Sequence, residues 1–199
     1  MTPPFFAQWE SAGLVADFLA GRDAASDPLW ATSGACDPAE YARWAHHLCG
    51  MACLRMAIAA RGERHSIHAL RRAVQELGGY VEDGPEIRGL IYAGAVEWLN
   101  RRGIAAETKL DLPVGELPGL LASGAVYVAS VHPIIRRPES EPPFRGGHLV
   151  LVFGVDGAGR LRFHNPSGDT VETREDVRMG LGDFERFHAE RGILIPALA

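Results

Sequence analysis

Lysine is almost missing from this 199-residue chain: Lys109 is the only one. The remaining cations are arginines scattered among acids, and the formal net charge is -5. No basic block stands out, so nucleic-acid binding is excluded as a first reading. Long apolar runs are missing too. The longest candidate, "GAVYVASVHPII", falls short of the roughly 18 apolar residues of a membrane helix and is broken by His132 and Pro133. The start, "MTPPFFAQWESAG", has neither a cationic head nor an apolar core, so neither a signal peptide nor a membrane partner is expected. Cysteine is scarce, with only Cys36, Cys49 and Cys53. An odd number without a signal peptide points to reduced thiols and a cytoplasmic location. What remains, 47% hydrophobic and 23% charged, is ordinary for a soluble globular protein. The length fits one domain with a proper core.

The chain reads as helices first and strands second. Residues 7–21 form a helical pattern stopped at Gly21, and a polar, small-residue loop follows through Cys36. Asp37-Pro38 is a helix start, an N-cap residue followed by proline at the first position. The next helix runs from Cys49 to Ala60. Ser66 caps another over residues 67–79, and residues 84–103 read as a fourth. The period then changes. Residues 104–110 suit a short strand, 113–124 a short helix or turn, and "AVYVASVH" a strand with aromatic and β-branched residues. "GGHLVLVFGVDGAGRLRFHNPSGD" reads as a hairpin turning at Asp156 to Gly159. A last helix over 178–192 and a strand over 193–198 close the chain. The expected fold class is α+β, with a helical half packed on a mostly antiparallel sheet. The expected organisation is one domain over 1–199. Within it, 1–35 is an N-terminal helix and loop, 36–103 the helical half, and 104–199 the sheet half.

The chemistry centres on "HHLCGMACLRM". A helix beginning at Cys49 would place the thiol at unpaired N–H groups, which favour thiolate, the nucleophilic form. Gly50 would let a substrate carbonyl approach, and the N–H groups there would stabilise an oxyanion. Cys53 lies one turn deeper on the same face and reads as packing. The plainer reading of Cys49 is a small buried apolar residue, and position alone weighs the two evenly. A base must then reach the sulfur. His148 heads the apolar strand "HLVLVFGV" after Gly146 and Gly147. The two-residue period puts Leu161, Phe163 and Asn165 on one face, so that face ends in an amide able to set the His148 tautomer. Asn165-Pro166 also reads simply as a turn opening. The proline- and charge-rich loop 133–147, just before His148, is either a plain surface connection or a lip beside a site.

Taken together, "CGMACLRMAI", "GGHLVLVFGVDGAGRLRFHNPSG" and the closing "ILIPAL" resemble the papain-like cysteine peptidases, closest to the bacteriocin-processing, double-glycine-leader branch and its stand-alone relatives. The resemblance spans residues 41–197. It implies Cys49 as nucleophile, His148 as general base and Asn165 as the orienting third member, a peptide or amide substrate, and no cofactor. That branch often carries aspartate as the third member, and it usually carries a glutamine oxyanion donor six residues before the cysteine. Here that position is Arg43, so Arg43 or His47, with Gly50 and Gly147, are the expected oxyanion and substrate-binding residues. An acyltransferase or cyclase would use the same Cys–His–Asn set, and a non-catalytic peptide-binding module would keep the same fold.

Other groups carry less. His46, His47, Cys49 and Cys53 include no C-x-x-C pair, so no metal site is expected. His65, His68 and the pairs Arg71-Arg72 and Arg101-Arg102 read as solvated positions. Trp44 reads as a core or cleft-wall aromatic, and His132 as a strand end or a cleft residue.

Overall fold

Local signals set several helix starts in the computed structural model, which describes residues 2–197. A 3-10 turn at Ala12–Leu14 leads into α1 (Val15–Leu19). The Asp37 carboxylate accepts the Glu40 N–H at 2.7 Å and opens α2 (Pro38–Ala45), with proline at its first position. After α3 (Cys49–Ala59), the Ser66 hydroxyl caps α4 (Ile67–Gln75). A minimal hairpin, β1 (Glu82–Asp83) and β2 (Glu86–Ile87), precedes α5 (Tyr92–Arg101). There follow β3 (Glu107–Lys109), α6 (Leu117–Ala122), β4 (Val126–Val131), β5 (His148–Val155) and β6 (Leu161–His164). The chain ends with α7 (Val171–Arg174), β7 (Val177–Met179), α8 (Leu181–Phe187) and β8 (His188–Ile195). Six strands form one antiparallel sheet in the order β3-β8-β4-β5-β6-β7.

Period-two alternation splits the sheet between two cores. Val128, Leu149 and Leu151 face α3, α4 and α5, packing with Met51, Cys53, Leu54 and Leu99. Tyr127, Ala129, Val150 and Phe163 face the other way, toward α6 and α8. A third cluster, with Trp9, Phe18 and Tyr41, holds the N-terminal arm against α2.

Four sequence expectations fail, each for a tertiary reason. Residues 7–11 are not helical because their N–H groups are taken from outside. Gln8 donates to the Pro166 carbonyl, Glu10 to the Tyr41 hydroxyl and Ser11 to the buried Asp27 carboxylate. The helix expected over 84–103 begins only at Tyr92, since residues 82–87 pair as the hairpin. The helix expected over 178–192 stops at Phe187, because His188 onward pairs with β4. That strand ends at Ile195, and the final residues of the segment expected to close the sheet lie outside the described part. Finally, His68 and Arg71 are buried rather than solvated: α4 presses them onto Glu40 of α2, where Arg71 forms an ion pair. Burial holds the His68 imidazole down to about 4.

Candidate active site

The start of α3 and the start of β5 meet at one cavity of about 400 Å³. Cys49 enters it as the first residue of the helix, half-buried against the α3 core, with Cys53 fully buried one turn below. The Cys53 thiol donates to the Leu149 carbonyl at 3.5 Å, so it is packing, as its spacing implies. His148 enters as the first residue of β5 and is 6% exposed. Gly89, Leu90 and Tyr92, from the segment leading into α5, line the same space, as do His46, His47 and Gly147.

The hairpin aligns β5 with β6, so Asn165, just past the end of β6, lies beside His148. His148 Nε2 is 2.8 Å from Asn165 Oδ1. The amide orientation is fixed independently, because the Ser167 backbone N–H donates to the same oxygen at 3.1 Å. A backbone N–H can only donate, so Oδ1 is the acceptor and His148 carries its proton on Nε2. Nδ1 is left without a hydrogen-bond partner among the described residues. Two further residues complete this corner. Ser167 Oγ is 3.0 Å from His148 Nε2 and accepts from Arg136 Nη2 at 3.2 Å. Burial pushes the imidazole down to about 4; the Asn165 contact opposes this and the Arg136 charge adds to it. His148 is therefore neutral at physiological pH.

The thiol follows suit. Burial raises the Cys49 thiol above its ordinary value, although the N–H groups of Leu149, Gly50 and Cys49 itself pull the other way. The expected thiolate is not what this environment favours: a helix terminus alone does not offset desolvation, and a neutral imidazole supplies no counter-charge. The resting pair is thiol and imidazole.

No protein-family model and no curated protein matches the chain. Solved structures do. The peptidase domain of Streptococcus ComA, a bi-functional ABC transporter involved in quorum sensing, aligns over 76% of this chain and 93% of its own, at 20% identity and a TM-score of 0.54. A double glycine motif protease from an AMS/PCAT transporter, solved with a leader peptide, covers 75% and 84% at 14% identity and TM-score 0.50. A Bacillus anthracis protein described as a C39-like peptidase covers 77% and 90% at 14% identity and TM-score 0.55. The chain has the papain-like fold of these C39 peptidase domains. The fold agrees with the resemblance carried by the three sequence boxes, and the helices pack on the sheet as that resemblance implies.

Two of the expected oxyanion and substrate-binding residues are engaged elsewhere in this C39-like fold. The Arg43 guanidinium binds the Glu82 carboxylate at 2.8 Å and the Gly84 carbonyl at 3.0 Å, which ties α2 to the β1–β2 hairpin and keeps Arg43 out of the cavity lining. Gly50 is closed in by the side chains of Leu90 and Leu149 and is not itself among the residues lining the cavity. A Cβ there would lie 2.6 Å from Leu90 and 2.9 Å from Leu149. His47 and Gly147 do line the cavity, Gly147 at φ +94. His132 does not. It accepts the Ile134 N–H, and its ring meets Phe144 of the lip loop edge-on. Trp44 is core. Sequence reasoning missed Ser167, Arg136, Ser130, Arg191 and the 89–92 wall. Only Ser167, two positions past Asn165 in "NPSG", had a local signal. No group of three or more potential metal ligands exists among the described residues, nor any helix long and apolar enough to cross a membrane.

Proposed function

We propose that this chain is a cysteine peptidase-like hydrolase, with Cys49 as nucleophile, His148 as base and Asn165 as the residue orienting His148. One observation carries the reading: the 2.8 Å contact to Asn165 holds the Nε2–H tautomer and leaves Nδ1 without a partner among the described residues, on a ring that lines the same cavity as Cys49. The neutral pair sets the order of events. As sulfur attacks the amide carbonyl, its proton passes to His148 Nδ1, so charge separates only with bond formation. The tetrahedral oxygen is met by backbone N–H groups of the first turn of α3, which meet the Cys49 sulfur at rest, and by the His47 ring. The imidazolium then gives its proton to the leaving amine. Water, activated by the same ring, hydrolyses the thioester and restores the thiol. No step calls on a cofactor.

The substrate is a peptide, in keeping with the fold and with the neighbouring protease solved with a leader peptide. The competing reading, a peptide-binding module without turnover, draws on Arg43 standing where the family's oxyanion glutamine is usual. Incubation with a peptide pool, followed by intact-mass analysis, separates the two. An acyl adduct on Cys49, absent in Cys49→Ala and in His148→Ala, supports hydrolysis. Bound but uncut peptides with no adduct at any pH from 5 to 10 overturn it.

A further inference from the structure

Beyond the Cys–His–Asn group the cavity receives one full cation, Arg191, and a strand irregularity puts it there. Ala129 pairs with Gly192 and Val131 with His188, so Ser130 of β4 is opposed by Ala189, Glu190 and Arg191 together. Such bulges re-aim side chains and cluster beside active sites. Glu190 takes φ +54, a left-handed conformation costly for a side-chain-bearing residue, and its carbonyl accepts the Leu112 N–H at 2.7 Å. Gly192 allows the close return: a Cβ there would lie 2.1 Å from the Val128 carbonyl. Gly146 allows the rest. It sits at φ +95, and a Cβ on it would stand 3.1 Å from Arg191 Nη2 and 3.3 Å from Ser130 Oγ. The absence of a side chain at Gly146 thus leaves open the space that both the Arg191 guanidinium and the Ser130 hydroxyl border.

Among the described residues, none makes a hydrogen bond or ion pair with that guanidinium. Glu190, the nearest acid in sequence, turns to Arg145, at 3.5 Å. Arg191 has no carboxylate partner among the described residues, and no Asp or Glu lines the cavity. Ser130 lines it beside Arg191 although the residue as a whole is 3% exposed.

We infer that Arg191 and Ser130 form a carboxylate-binding subsite, so that the peptides handled at Cys49 carry an acidic side chain or a free carboxy terminus at this end of the cavity. The inference rests on the hydrolase reading for its substrate class. The recognition chemistry stands apart from turnover: a guanidinium fork and a hydroxyl suit a carboxylate and leave a carboxamide less well served.

Alkylation tests it without any substrate. Rates of Cys49 modification by iodoacetate and by iodoacetamide are compared at pH 8, where the burial-lowered imidazoles of His46, His47 and His148 are neutral, with exposed Cys36 as the internal reference. The iodoacetate-to-iodoacetamide ratio at Cys49 should exceed that at Cys36 on the order of tenfold. Arg191→Gln should bring the two ratios together, and Arg191→Lys should keep part of the difference. Equal ratios in the unmodified protein, or a difference that survives Arg191→Gln, overturn the subsite. Peptide pools pairing Glu with Gln at each position, and free-acid with amide termini, identify the source. Preference for Glu assigns a side-chain carboxylate, preference for the free acid assigns a chain terminus, and cleavage with neither preference overturns the inference. No cleavage with the alkylation ratio intact removes the hydrolase reading and leaves the carboxylate subsite supported.

Discussion

Cys49 and His148 reach one cavity from walls that hold their side chains in different ways. The Cys49 wall is helix and apolar packing: Leu90 and Leu149 close on Gly50, Cys53 fills the turn below, and the sulfur meets backbone N–H groups but no side-chain partner. The His148 wall is a hydrogen-bonded corner, in which Asn165, Ser167 and Arg136 fix the ring, its tautomer and its charge. One wall favours a protonated thiol through partial burial. The other keeps an imidazole neutral but directed. The difference teaches that, on the proposed hydrolase reading, readiness lies in orientation rather than in a preformed ion pair, so turnover should depend more on His148 being held than on Cys49 being acidic.

The strongest way to break the comparison is to remove the directed wall. His148→Ala should lower kcat/KM for peptide cleavage by about 10³–10⁴ while leaving the fold intact by circular dichroism. A variant that keeps activity would show that the corner is only structural. Next comes the apolar wall. Gly50→Ala should destabilise by about 1–3 kcal/mol through overpacking against Leu90 and Leu149, read as a lower denaturation midpoint. An unchanged midpoint would mean that those leucines move aside freely.

Acid should act on the His148 wall and on buried histidines elsewhere in the fold. Burial holds His148, His68 and His188 each down to about 4, against about 6.5 in an unfolded chain. With lowered native values the unfolded chain binds protons first. Their contribution to stability is therefore complete above about pH 6.5 and is lost as pH falls through about 4. Urea midpoints measured from pH 7 to 4 should fall; a flat profile would contradict burial of these rings.

Asn165→Asp sharpens the contrast rather than breaking it. A carboxylate at Oδ1 would favour the imidazolium and, through it, the thiolate. The pH profile of Cys49 alkylation should move toward acid, and an unmoved profile would show that ring and sulfur do not communicate. The smallest effect belongs to Arg43→Gln. Its bond to Glu82 is a half-exposed surface pair, so the loss should be at most about 1 kcal/mol, with no gain in turnover. A clear rise in turnover would return position 43 to the oxyanion.

The Cys49 helix, the hairpin and Asn165 beside His148 were legible because each depends on local rules: a cysteine-glycine step at a helix start, a strand heading with histidine, an apolar face ending in an amide. Ser167 was nearly legible, two residues beyond Asn165. Arg136 and Arg191 were not, since nothing in "PIIRRP" or "AERGIL" distinguishes a guanidinium that holds Ser167, or one that borders a cavity, from any other surface arginine. Arg43 and Gly50 show the opposite limit. Both sit at positions where a family pattern suggests chemistry, yet a distant carboxylate claims the first and two distant leucines claim the space beside the second.

Residue order alone determined that helices come first and strands second, that one thiol heads a helix, and that a hairpin delivers an imidazole and an amide to the same end. These follow from periodicity, caps and turns, which act over a few neighbouring residues. Only the tertiary structure decided the charge state of the thiol and the imidazole, the occupation of Arg43, and the bulge that turns Arg191 into the cavity. Desolvation and strand register are set by whatever residues arrive from elsewhere in the chain, and no local pattern encodes who those neighbours are.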